Sequence, residues 1–169
     1  MLMISENERF MSKVLSALND RRDDRKLSEI IFRTYDRIKP DTVKDKLKTK
    51  FNVILSMSKA IMDGMDSGVE LSDEDLDIIL KECESRTNAA QIQNIRDVAF
   101  THFARDSDIE TIIKNCETFN KAQIIQSHTN ELAELLTSSN SFIELPQHVE
   151  KFRSEEHTSE LQSPMFISY

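Results

Sequence analysis

Between Met1 and Phe152 the chain holds only two glycines, Gly64 and Gly68, and two prolines, Pro40 and Pro146. Strands joined by tight turns need Gly, Asn-Gly or Pro at short intervals, and that punctuation is missing here. What recurs instead is an apolar residue every three or four positions, the period of one helix face. The chain is therefore expected to be all-α, an irregular helical bundle passing into α-solenoid-like helix-pair repeats.

The expected helices are marked by caps and stripes. Ser5 and Glu8 have the spacing of a capping box, in which hydroxyl and carboxylate each satisfy an orphan N–H. Met11, Val14, Leu15 and Leu18 follow at helical spacing. Leu27, Ile30, Ile31, Tyr35 and Ile38 form a second stripe that stops at Pro40. Asp41 is placed to cap a longer helix with Val43, Leu47, Phe51, Ile54, Leu55 and Ile61, ending around Gly64 and Gly68. Ser72 with Asp73, Glu74 and Asp75 opens the next, carrying Leu76, Ile79, Leu80 and Cys83, its carboxylates favoured by the helix dipole. Ile92, Ile95, Ala99 and Phe103 mark a fifth. Ser107 and Glu110 form another box, before Ile109, Ile112, Ile113 and Cys116. A seventh holds Ile125, His128, Leu132, Leu135 and Leu136, and Pro146 suits the first turn of one more.

Residues 76–93 and 109–126 align at an offset of 33. Ile79 meets Ile112, Lys81 meets Lys114, Cys83 meets Cys116, Ala89 meets Ala122 and Ile92 meets Ile125. A period of this size belongs to stacked helix pairs, each unable to bury its own apolar face. The expected organisation is N-terminal helices over 1–70, one helix pair over 71–105, a second over 106–141, and the start of a further element over 142–152. In such pairs Cys83 and Cys116, like Ile92 and Ile125, should lie at matching depths, with Lys81 and Lys114 facing solvent. The alignment resembles a degenerate pentatricopeptide unit, "IIKNC" in its first helix and Ala89/Ala122 in its second, over about a third of the chain. That resemblance implies single-stranded RNA read by helical repeats.

Residues 153–169 differ in kind. "RSEEHTSELQS" resembles, residue for residue, the translation of a sequencing adapter, and Ile167-Ser168-Tyr169 fits the adapter's later codons in register. The expectation is a non-native, disordered tail on a reading frame interrupted near Phe152. The tail holds one Arg and three Glu, so the rest of the chain carries −6 against −8 for the whole. Such an acidic, interspersed surface lacks the bias of a polyanion binder.

Few residues offer site chemistry. Cys83 and Cys116 lie on apolar stripes and read as small buried hydrophobes, which suits a reducing, cytoplasmic compartment. Cys83, His102, Cys116 and His128 are too evenly spread for a zinc signature. His128 reads as an interior histidine and His102 as partly exposed. The stretch from Asp63 to Glu74 imitates a calcium loop, but Met65 and Ser67 occupy ligand positions, so a helix connection is expected. Lys44, Lys46, Lys48 and Lys50 diverge around one helix and read as a solvated face.

No catalytic, cofactor-binding or metal-ligating residue is assigned. No apolar run reaches bilayer length, and the opening "MLMISENERF" lacks a signal-peptide core. The expected function is a non-catalytic scaffold or adaptor module that binds another protein, as part of a longer chain. Pentatricopeptide-like RNA binding is the alternative, and a helical accessory region of an enzyme is a third.

Overall fold

The computed structural model describes residues 2–86, 88–137, 150, 151 and 153. Every regular element among them is helical: α1 (Leu2–Glu6), α2 (Glu8–Asp20), α3 (Arg25–Asp36), a 3₁₀ turn (Pro40–Thr42), α4 (Asp45–Asp66), α5 (Asp73–Arg86), α6 (Ala89–Asn94), a π turn (Ile95–Ala99) and α7 (Asp106–Thr137). The all-α class is as the sequence predicts. The chain divides into two compact units, residues 1–117 and 118–169, and α7 runs through the junction.

Local chemistry sets the helix ends, at places one turn away from several expected ones. Ser5 lies inside α1, and Asn7 caps α2, its side-chain oxygen accepting from Phe10 N at 3.0 Å. Asp24 caps α3 by accepting from Leu27 N at 3.0 Å. Asp41 does not cap α4; it sits in the 3₁₀ turn, because Pro40 fixes its own φ and starts that turn instead. Ser72 opens α5 as expected, and it does so through a reciprocal box with Asp75. Asp75 N donates to Ser72 Oγ at 3.1 Å and Ser72 N donates to Asp75 Oδ2 at 3.2 Å. For α7 the first turn closes earlier than the Ser107 box, with Arg105 N donating to Asp108 Oδ2 at 3.3 Å.

The first unit is built round α4, which packs against α3, α2 and α5 and more lightly against α1 and α6. Leu47, Phe51, Val53, Ile54, Met57 and Ile61 of α4 are buried, and so are Met11, Val14, Leu15 and Leu18 of α2. The α3 stripe of Leu27, Ile30, Ile31 and Tyr35 covers another side of the same core, with Ile38 just beyond it. Tyr35 tilts against Phe51 with ring centroids 6.2 Å apart, and its hydroxyl donates to the Ile4 carbonyl at 2.9 Å. That bond fastens α1 to α3. On the last expected stripe of the first unit, Ile92, Ile95 and Ala99 are buried but Phe103 is not. The regular turns stop at Ala99, and Phe103 sits in the loop before α7.

The expected second helix pair does not form. Residues 109–136 lie within α7, one unbroken helix, because no Gly or Pro interrupts "CETFNKAQIIQ". Cys83 and Cys116 are both buried and Lys81 and Lys114 both exposed, but Ile92 is 3% exposed and Ile125 51%. The offset of 33 therefore sets α5 and α6 against the single helix α7, and it holds for the thiols and lysines but not for Ile92 and Ile125. Phe119, Asn120 and His128 are the buried residues of α7 beyond Glu117. The element expected over 142–152 and the tail over 153–169 lie outside the described residues, apart from positions 150, 151 and 153.

The end of α4 needs both glycines. Gly68 adopts φ +73°, its N–H bonds Met65 O at 3.1 Å, and Val69 N bonds Gly64 O at 2.7 Å, the paired bonds of a Schellman cap. A Cβ on Gly64 would meet Val69 O at 2.5 Å. Gly68→Ala should cost about 1 kcal/mol, the left-handed penalty of a residue with a Cβ. Gly64→Ala should cost about 2 kcal/mol, because backbone must move to admit the methyl. Urea unfolding of the two variants checks the order; a neutral Gly64→Ala would show that the cap yields.

Candidate functional site

A cleft of ≈ 1160 Å³, lined by charged side chains together with Val98, Phe103 and Ala104, opens in the first unit where α2, α4, the α6–π segment and the start of α7 meet. Its walls come from residues close in space but far apart in sequence. Arg9, Ser12, Lys13 and Ser16 line it from one face of α2, and Lys46 and Lys50 from the first turns of α4. Asn94 and Val98 close one side, and His102, Phe103, Arg105 and Asp108 another.

Five interactions hold these walls in place. Lys50 is buried, and its ammonium donates to Glu8 Oε1 at 2.9 Å and to Asn94 Oδ1 at 3.3 Å, linking α4 to α2 and α6. The same hydrogen bond and charge hold the Glu8 carboxyl below its usual range, with Lys46 adding to the effect. Ser16 Oγ, buried in α2, donates to the Ala99 carbonyl, an orphan acceptor where the π turn ends. Asp20 Oδ2 accepts from Ala104 N, and Arg21 pairs with Asp106 at 2.6 Å, so the loop and the start of α7 are tied back to α2.

The charge in the cleft runs against that of the chain. Arg9, Lys13, Lys46, Lys50 and Arg105 line it against Glu6, Glu8 and Asp108, an excess of two positive charges in a chain of net −8. Lys50 is engaged by Glu8, and Lys13 lies 3.7 Å from Asp108. Among the described residues Arg9, Lys46 and Arg105 close no ion pair. Phe103 and Val98 turn towards water at the same place, 79% and 41% exposed.

Of the residues weighed from sequence, few meet here. Lys46 and Lys50 enter the cleft, whereas Lys48 pairs with Asp45 at 3.2 Å along α4. His102 is exposed at the rim. The stretch from Asp63 to Glu74 is the end of α4, its cap and the start of α5. Its Asp66 is turned to Arg25, and its Asp73 to Arg22 at 2.8 Å. Among the described residues no group of three or more His, Cys, Asp or Glu could hold a metal ion, and no helix is long and apolar enough to cross a membrane.

The thiols lie elsewhere. Cys116 is fully buried beside Thr34, and burial pushes its pKa up to about 11. Burial also raises Cys83, against the opposing hydrogen bond with Ser56. Neither is a thiolate nucleophile at neutral pH. Sequence reasoning missed Arg9, Lys13, Arg105 and Asp108. The available signal was two like-charged i,i+4 pairs, Arg9/Lys13 and Lys46/Lys50, on helices whose apolar faces must meet. No family model, curated protein sequence or solved structure matches the chain.

Three outcomes are expected. A depressed carboxyl contributes stability that is present above its unfolded pKa and is lost as pH falls through the folded one. The stability gap between the parent and Glu8→Gln should therefore be present at neutral pH and close in acid. It should stay below about 1 kcal/mol, because the Glu8 side chain is 56% exposed and screened. Urea titrations from neutral to acidic pH test this, and a gap that widened in acid would contradict it. For the thiols, Ellman's reagent at mildly alkaline pH should leave Cys116 unmodified until denaturant is added. Cys116→Ala should cost about 1 kcal/mol through a small cavity.

Proposed function

We propose that the protein is a non-catalytic helical module that binds another protein. The observation that carries this reading is Phe103, 79% exposed beside Val98 on the edge of a cleft whose cations are only partly engaged. A bundle with a well-covered core gains nothing by leaving an aromatic ring in water, whereas protein interfaces are enriched in aromatic and Arg side chains. Bond chemistry finds less support. The buried thiols are held protonated, and His102 stands exposed, with no hydrogen bond to an acid or nucleophile among the described residues. The reading does not need stacked repeats, since the surface comes from helix ends and one loop.

The test is recovery of a defined complex. A partner purified with the parent chain, then reconstituted from purified components, should lose about tenfold or more in affinity with Phe103→Ser. Ile78→Ser, on the exposed side of α5, should bind as the parent does. A complex indifferent to Phe103→Ser, or one dissolved by ribonuclease, would overturn the reading.

A further inference from the structure

The cleft's charge, shape and exposed apolar groups narrow what can occupy it. Its cations come from three separate elements. Arg9 comes from α2, Lys46 from α4 and Arg105 from the loop ahead of α7, and the ≈ 1160 Å³ between them is wider than a site for one small anion needs. Glu6, Glu8 and Asp108 stand among them. A phosphodiester chain would bring a negative charge at every nucleotide against those carboxylates and against a net −8 surface. A peptide brings N–H donors that carboxylates accept, together with a few acids for the cations. Phe103 and Val98 add an apolar contact at the rim, suited to one buried side chain.

We infer that this cleft docks an acidic peptide segment of a partner protein, with Arg9, Lys46 and Arg105 meeting its carboxylates and Phe103 and Val98 holding one apolar anchor. The inference rests on the protein-binding reading and makes it specific. Lys50 and Lys13 are not counted among the contacts, because Glu8 and Asp108 engage them. Charge complementarity of this kind speeds encounter and fixes register, so binding should weaken as salt is raised.

The test pans a random dodecapeptide library on the full chain. Enriched sequences should place Asp or Glu around one Phe, Leu or Met. The best of them, synthesised and titrated, should bind about tenfold or more weaker to Lys46→Glu, to Arg9→Glu and to Phe103→Ser. Lys81→Glu on α5 should stay within about twofold. Exchanging one peptide Glu for Lys should restore binding to Lys46→Glu, an effect general loss of structure would not produce. All four positions are exposed, and far-ultraviolet circular dichroism confirms that each variant is folded. Failure to enrich acidic peptides, or binding indifferent to the cleft variants, overturns the inference. So does a dodecamer of uridylate that binds the parent and is lost with Lys46→Glu, which assigns the cleft to RNA. A partner complex that needs Phe103 but ignores Arg9 and Lys46 would leave protein binding standing and remove the acidic peptide alone.

Discussion

Covering α4 is the constraint on which the first unit depends. A helix packed by neighbours on several sides cannot keep its polar residues on one solvated stripe. Thr49, Lys50 and Ser58 are buried along with the apolar side chains of α4. Each meets that condition differently. Ser58 Oγ donates to the Ile54 carbonyl at 2.7 Å, within its own helix. Lys50 reaches across to Glu8 and Asn94. Thr49 Oγ1 finds no partner among the described residues and stands as an uncompensated cost.

The cleft follows from that arrangement. Because α2 and α4 meet along their apolar stripes, the basic pair at the start of each is brought to the same place. Isolated helices would be destabilised by like charges four residues apart. Here the strain is half relieved, by Glu8 for one pair and Asp108 for the other. Local rules broken without full compensation are the expected mark of a surface kept for something other than folding.

Helix class and core stripes could be read from the residues, because burial along α2, α3 and α4 follows the 3.6 period closely. Helix ends were harder. Asn7 and Ser5 are both good caps, and the choice between them is made by where α1 packs, which no local pattern contains. The apparent repeat failed for a related reason. Residues 76–93 break between α5 and α6 where 109–126 run on within α7, so Ile92 is buried in α6 while Ile125 is exposed on α7. The cleft was least visible. Arg9, Lys46 and Arg105 lie far apart in the chain, and only the crossing of helices brings them together.

Tyr35 has an optical consequence. The chain has no tryptophan and two tyrosines, and Tyr35 is buried among aromatic and aliphatic groups with its hydroxyl given to Ile4. Burial holds its phenol neutral well beyond the usual alkaline range. Phenolate absorbance from this ring is therefore suppressed while the first unit stays packed. The same residue that fastens α1 to α3 is a built-in dye for the integrity of that unit, readable without any label.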